Sequence, residues 1–274
     1  MSAIKRGYAD SRYGQLHYRI AQGAAGGDGL PLLCLHQTPS NGRDWVPVMG
    51  PLSNGRTVIA VDTPGYGMSD APPEPVRIED FAQVMAALMA DLAVQGLVTP
   101  GPFDVLGFHT GSLIATELAR SLPQRVRRVA VFGVAAYPAE VREAKLASLL
   151  GAFPPPGEDL SHVEKLWSII GELSDPHIPY EERHINMAEC LRLGARMPWG
   201  YISVFRYDFL GAMAQVEQPV LVLNPEDDLW EVTLETAHHY RNGRRIDLRG
   251  VKHGVLRLER DRVVAEIEDF LGSA

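Results

Sequence analysis

Short, nearly unbroken apolar runs punctuate the chain: Pro31-Leu32-Leu33-Cys34-Leu35, Val58-Ile59-Ala60-Val61, Phe103-Asp104-Val105-Leu106, Val129 to Val134 and Val220-Leu221-Val222-Leu223, with a shorter one at Arg245-Ile246-Asp247-Leu248. Runs of this length are the pattern of strands buried on both faces. Between them the period changes. Ile78, Phe81, Met85, Leu88 and Leu92 recur at helical spacing and mark one face of a helix; Asn41 to Leu52 predicts a shorter one, Thr110 opens another, and an amphipathic segment ends at Ile267-Glu268-Asp269-Phe270-Leu271. Tyr8 to Ile20 alternates around a turn at Tyr13-Gly14, which suits an antiparallel hairpin at a sheet edge, and residues 23–29 read as a flexible connector. Strands alternating with helices imply an α/β fold with a mainly parallel sheet covered on both faces.

From about Tyr137 to Ala214 the pattern becomes helical, proline-broken and aromatic, until Pro219 restarts the sheet. This stretch reads as a helical cap at 137–214, inserted in a core domain made of 1–136 and 215–274, with the Pro154-Pro155-Pro156-Gly157 break separating two of its helices. Each cap aromatic, such as Phe153, Trp167, Tyr201 or Tyr207, is more simply a member of the cap's own small core. Together they suggest an apolar, partly aromatic pocket. A chain of 274 residues with 46% hydrophobic content fits one large core plus an insertion better than two separate domains.

Composition narrows the partners. A formal net charge of -8 disfavours nucleic acid and anionic membrane surfaces, leaving a small uncharged molecule as the default substrate. Cys34 and Cys190 are the only cysteines, one in an expected strand and one in the expected cap, so a disulfide framework is not expected and a reducing compartment suits the chain. No signal peptide is read before Tyr8, and no apolar run approaches the roughly 18 residues of a membrane helix. The expectation is a cytoplasmic protein, monomer or homodimer, with no cofactor.

The chemistry concentrates at Gly107-Phe108-His109-Thr110-Gly111, directly after an apolar run and at the start of a helix. A strand-to-helix turn that lifts one side chain above a sheet needs small residues two positions to either side, the G-x-S-x-G pattern, and here His109 stands where serine is expected. An Asp/Glu after a later strand and a histidine after the next are the remaining parts of such a site. Asn224-Pro225-Glu226-Asp227-Asp228 and Gly250-Val251-Lys252-His253 supply them. Upstream, His36-Gln37-Thr38-Pro39 resembles an H-G-x-P oxyanion turn with Gln37 in place of glycine. Asp62-Thr63-Pro64-Gly65-Tyr66-Gly67-Met68-Ser69 is similar to a D-x-P-G-x-G-x-S segment. These matches cover nearly the whole chain, which resembles an α/β-hydrolase of a subgroup with histidine at the elbow.

The resemblance implies an eight-stranded sheet and a set of roles: His109 as nucleophile or base, His253 as general base, Asp228 as its orienting acid, and the backbone N–H groups of Thr38 and Thr110 as the oxyanion hole. Asp227 and Glu226 are alternatives for the acid, with spacing from Pro225 favouring Asp228. His36, Gln37, Phe108, Trp167 and Tyr207 are the candidates for contact with substrate. Because the elbow ring would lie at a helix N-terminus, His109 is expected to be mainly neutral near pH 7.

Several chemistries fit such a ring. It could form an acyl-imidazole with an ester, thioester, amide or lactone. It could act with His253 as a base pair, activating water or abstracting a proton in a cofactor-free lyase, isomerase or carbon–carbon cleaving reaction. His36, His109, His253 and Asp228 are also a plausible zinc set, although no metal is expected. Loss of the serine is equally compatible with a non-catalytic binder of small ligands. Hydrolysis of a small, largely apolar carbonyl compound is the leading expectation. Ser112, on the helix three residues past His109, reads as a packing residue.

Overall fold

The computed structural model describes residues 3–23, 29–153 and 155–272. Most of the connector expected over 23–29, and Pro154 of the proline break, lie outside the described residues. Eight strands form one sheet: β1 (Ile4–Ser11), β2 (Gly14–Ala21), β3 (Leu32–Leu35), β4 (Val58–Val61), β5 (Phe103–Phe108), β6 (Val126–Phe132), β7 (Val220–Pro225) and β8 (Gly243–Leu248). Their spatial order is β1-β2-β4-β3-β5-β6-β7-β8. β1 and β2 pair antiparallel as a hairpin with Ile4 opposite Ala21, β2 runs antiparallel to β4, and the remaining pairs are parallel.

Both faces of the central strands are sealed, which is why they read as continuous apolar runs. Leu33, Leu35, Ile59, Val61, Val105, Val131 and Val222 enter one core with α2 (Ile78–Val94) and α3 (Thr110–Ser121). Their neighbours in sequence, Leu32, Cys34, Val58, Ala60, Leu106, Phe132 and Leu223, enter the opposite core with α1 (Val46–Leu52), whose partners there, α10 (Val255–Leu258) and α11 (Arg260–Gly272), come from the chain's end. The helix expected over 41–52 is divided: a 3-10 turn at Gly42–Trp45, capped where the Asn41 side chain accepts from the Arg43 N–H, precedes α1. α2 buries the expected Ile78, Phe81, Met85, Leu88 and Leu92. α9 (Trp230–Thr236) lies between β7 and β8.

Between β6 and β7 the described chain is helical: α4 (Ala139–Ala152), α5 (Ser161–Leu173), α6 (Tyr180–Leu193), α7 (Trp199–Arg206) and α8 (Phe209–Met213). This segment packs in two ways. Leu166, Met187, Cys190, Leu193 and Met197 form a small cluster of their own that also takes in Tyr66 of the β4–α2 loop. Val204, Tyr207, Phe209, Ala212 and Met213 instead belong to the main core. The last part of the insertion is therefore anchored to the sheet, and the separately packed layer ends near Met197.

Strand order reverses between β3, which continues outward to β4, and β5, which leads the other way. In open α/β sheets the crevice beyond the carboxyl ends of strands at such a reversal is where ligands bind. The His36–Pro39 turn and His109 both occupy it. The two cysteines are buried and unpaired, and burial pushes both thiols up, Cys190 to about 12. Among the described residues no helix is long and apolar enough to cross a membrane.

Candidate active site

β5 delivers the elbow. His109 has φ 48° and ψ -106°, and it is the one non-glycine residue with positive φ among those described. Such a backbone costs on the order of 1–3 kcal/mol and persists only where its surroundings over-determine it. They do so here. The His109 N–H donates to the Phe132 carbonyl at 2.9 Å, and its own carbonyl accepts from the Ser112 N–H at 2.8 Å. A Cβ on Gly107 would lie 2.3 Å from the Gly111 carbonyl oxygen, and one on Gly111 would lie 2.1 Å from that of Leu35. Ser112, fully buried, donates to the carbonyls of Gly107 and Phe132 and has no path to a substrate.

The imidazole of His109 lies over Gly133, where a Cβ would come within 2.9 Å of the ring. Its Nε2 is 2.9 Å from Oδ2 of Asp227, and the other oxygen of that carboxylate accepts from the Leu229 N–H at 2.9 Å. Asp227 is fully buried and the His109 side chain is 12% exposed. Burial pulls the pKa of His109 down, but the charge of Asp227 and its hydrogen bond, supported by Asp228 and Asp44, more than offset this and raise it above the ordinary histidine value. This direction runs against the sequence expectation of a mainly neutral ring. A buried carboxylate in direct contact outweighs the partial charge of a helix terminus, because interaction strength rises steeply with proximity and low dielectric.

Asp228 turns the other way. Its Oδ1 is 2.7 Å from Nε2 of His253, and its side chain is 46% exposed against 16% for His253. Burial opposes ionisation of Asp228, yet the hydrogen bond from His253 and the nearby charges of both histidines hold it well below the usual carboxylate range. The two rings meet edge to face, with centroids 4.9 Å apart, and Phe108 packs against both. Consecutive acids thus serve different histidines, and the sequence treated them as competitors for one role. Glu226, the third alternative, accepts instead from the Gly250 N–H at 2.8 Å.

The loop bearing His253 is pinned from the helical segment. Asp175, buried between α5 and α6, accepts from the Lys252 N–H at 3.0 Å, and its own N–H donates to the His253 carbonyl at 3.0 Å. No sequence pattern pointed to Asp175, whose partners in the His253 loop lie more than seventy residues away, Lys252 being 77 positions on.

Across the crevice, His36 donates from Nδ1 to the Gln37 carbonyl at 2.7 Å and accepts at Nε2 from the Thr63 N–H at 3.0 Å. Burial lowers its pKa, and the bond to Gln37 only partly counters that. It braces the turn at residues 36–39, with both nitrogens occupied. The N–H groups of Thr38 and Thr110 meet no acceptor among the described residues and remain available.

Two cavities open on this centre. One, of about 130 Å³, lies beneath the helical segment between the apolar side chains of Phe153, Leu166, Ile170, Leu173, Met197 and Tyr201 and the polar groups of Thr38, His109, Asp228 and His253. The other, of about 360 Å³, lies on the far side of His253 and mixes the charged Arg43, Asp44, Glu182 and Arg257 with the apolar Val46, Phe108, Ile178 and Leu256. Gln37, Ser174, Asn186 and His253 line both.

Of the residues expected to touch substrate, Gln37 and Phe108 therefore line cavities and three do not. His36 is turned to Thr63. Tyr207 is buried in the main core with its hydroxyl donating to Glu117 at 2.6 Å, and Trp167 packs with the small helical cluster and against His184. An aromatic residue in a helical pattern looks the same whether it fills a core or a pocket, so composition could not separate them. The metal set weighed from sequence also changes membership: His109, Asp227, Asp228 and His253 place one ligand atom each within 4.8 Å of one another, and His36 is excluded.

The sequence of residues 31–151 matches the family described as alpha/beta hydrolase fold. Over 84% of the chain it is 27% identical to an (E)-2-((N-methylformamido)methylene)succinate hydrolase of Acinetobacter baylyi, 85% of which is covered. It is 26% identical, over 72% of its length and 68% of the relative's, to a poly(3-hydroxyalkanoate) depolymerase of Ectopseudomonas oleovorans. Among solved structures, the enol-lactonase from Burkholderia xenovorans LB400 superposes with a TM-score of 0.76 at 21% identity, covering 97% of this chain and 100% of that one. The architecture along the whole length is the α/β-hydrolase fold, and residues 31–151 are similar in sequence to the family of that description.

Proposed function

We propose that the protein hydrolyses a small, largely apolar carbonyl compound by direct addition of water, with the two histidine–aspartate pairs in separate roles. His253, oriented by Asp228, takes a proton from water as the oxygen adds to the substrate carbonyl. The resulting imidazolium then gives that proton to the departing group, so the ring ends as it began and water is consumed. His109, protonated and held by Asp227, stands beside the N–H groups of Thr38 and Thr110 and offsets the negative charge that develops on the carbonyl oxygen. The helical segment serves as a cap that excludes water from the apolar cavity.

The observation that carries this reading is the 2.9 Å contact between Asp227 and His109. An imidazole must be unprotonated to attack a carbonyl, and a buried carboxylate on its Nε2 favours the protonated ring instead. Relatives named as a substituted-succinate hydrolase, a poly(3-hydroxyalkanoate) depolymerase and a pimeloyl-[acyl-carrier protein] methyl ester esterase support hydrolysis, and a relative named as a synthase matches over only 31% of the chain. The test is mass spectrometry of protein quenched during turnover of activated esters and lactones. Turnover with no mass added to the peptide containing His109 is expected, and an acyl adduct on that residue would establish the covalent route instead.

A further inference from the structure

The second cavity is larger than the apolar one and is built from different chemistry. Arg43, on the 3-10 turn after β3, and Arg257, on α10, converge on one carboxylate of α6: their Nη2 atoms lie 2.8 and 2.7 Å from the two oxygens of Glu182. Two guanidinium groups facing one carboxylate leave a positive excess, and Arg260 adds to it at the rim although its Nε is engaged by Asp261. Asp44 is the remaining acid. One of its oxygens accepts from the Ser40 hydroxyl at 2.7 Å, and the other is buried without a partner. Burial pushes its pKa to about 6, so it carries a charge at neutral pH that partly offsets the arginines and loses it only below that value.

Arg43, Glu182 and Arg257 retain 37%, 21% and 47% side-chain exposure. Ion pairs this exposed contribute little to stability, so Glu182 is a weak occupant of the fork and its arginines keep further N–H donors for a second anion. His253 lies between this cavity and the apolar one. A carbonyl carbon held at the two histidines would therefore have its two substituents on opposite sides of that ring.

We propose that the substrate is divided across His253, with its apolar acyl part under the helical segment and a leaving group bearing a carboxylate in the polar cavity, received by Arg43 and Arg257. This rests on the hydrolytic reading above and names the substrate class for it. The placement is consistent with the proton path, because the ring that must protonate the departing group is the one that lines the leaving-group cavity. A bidentate carboxylate on a guanidinium is geometrically specific and discriminates against neutral isosteres.

The test compares two esters of one acid, 4-carboxyphenyl butanoate and 4-carbamoylphenyl butanoate, and the binding of 4-hydroxybenzoate and 4-hydroxybenzamide measured by calorimetry without turnover. The charged ester is expected to be preferred by about 10-fold or more, mainly through KM, and 4-hydroxybenzoate to bind correspondingly tighter than the amide. In Arg257→Gln the preference should collapse toward unity. In Glu182→Gln, which removes the competing internal carboxylate, 4-hydroxybenzoate should bind several-fold tighter. That sign separates an anion subsite from a clasp between α6 and the core, since breaking a clasp would weaken binding in both variants. Equal binding of the acid and the amide to wild type, or weaker acid binding in Glu182→Gln, overturns the proposal. Discrimination in binding without turnover of either ester would leave the subsite standing and remove the hydrolytic reading.

Discussion

The two histidine–carboxylate pairs are built from the same parts and differ in their surroundings. His109 with Asp227 is rooted in the sheet: a strained elbow, a fully buried carboxylate and a glycine beneath the ring leave it one position. His253 with Asp228 lies at the rim, on a loop after β8 that hangs from Asp175 and opens to both cavities. A sealed pair holds a charge in place. An open pair can exchange protons with water and a leaving group. The proposed roles, fixed electrostatics for one histidine and proton transfer for the other, follow this difference, although both carry a carboxylate on Nε2 at nearly the same distance.

Removing the mobile pair should cost the most. His253→Ala is expected to lower kcat by about 10³-fold or more, as loss of a general acid–base does, with a smaller change in KM. Breaking the sealed pair through Asp227→Asn should cost about 10²-fold in kcat/KM, the scale of a lost oxyanion stabiliser. Its signature lies in pH. Activity that needs protonated His109 fades as pH rises through that ring's raised pKa, and Asp227→Asn should move this alkaline limb to lower pH. Stability follows the same sign. The proton-linked contribution of His109 is fully present below the unfolded histidine value and is lost as pH rises through the folded one, so the melting difference between wild type and Asp227→Asn should be larger at pH 6 than at pH 9.

Asp175→Asn should sharpen the comparison at lower amplitude. Loosening the anchor of the His253 loop is expected to reduce kcat by roughly 5- to 20-fold while leaving the alkaline limb set by His109 in place, because the sealed pair is untouched. Smallest is the effect of Asp44→Asn on stability. A carboxyl with a folded pKa of about 6 against 3.8 unfolded loses stability as pH climbs between those values, and the deficit persists above them. The asparagine variant should therefore melt higher than wild type at pH 7.5, by roughly 1 kcal/mol after allowance for solvent screening, and show no such advantage near pH 4.

The sheet was legible because its central strands are sealed on both sides and α2 carries one apolar face, so period alone separates them. The elbow was legible because close backbone approach admits only glycine at 107 and 111. The sealed pair was not. Pro225 to Asp228 offers three acids in a row, and the turn that sends Asp227 inward and Asp228 outward is a property of the loop rather than of spacing. One signal was present. A serine elbow needs one acid, for its histidine, whereas an elbow histidine presents a second ring nitrogen that needs a partner, and a doubled aspartate supplies one. Tyr207 shows the opposite failure: its hydroxyl needed a buried acceptor, and Glu117 lies 90 positions away, beyond the reach of any local pattern.

The protonation state of His109 is the hinge of the account, and heteronuclear NMR of its ring nitrogens across pH 5 to 10 reads it directly. In wild type this ring is expected to titrate above the ordinary histidine value, and in Asp227→Asn its pKa should fall. A His109 ring that is already neutral at pH 6 in wild type, or that titrates identically in the two proteins, would contradict it.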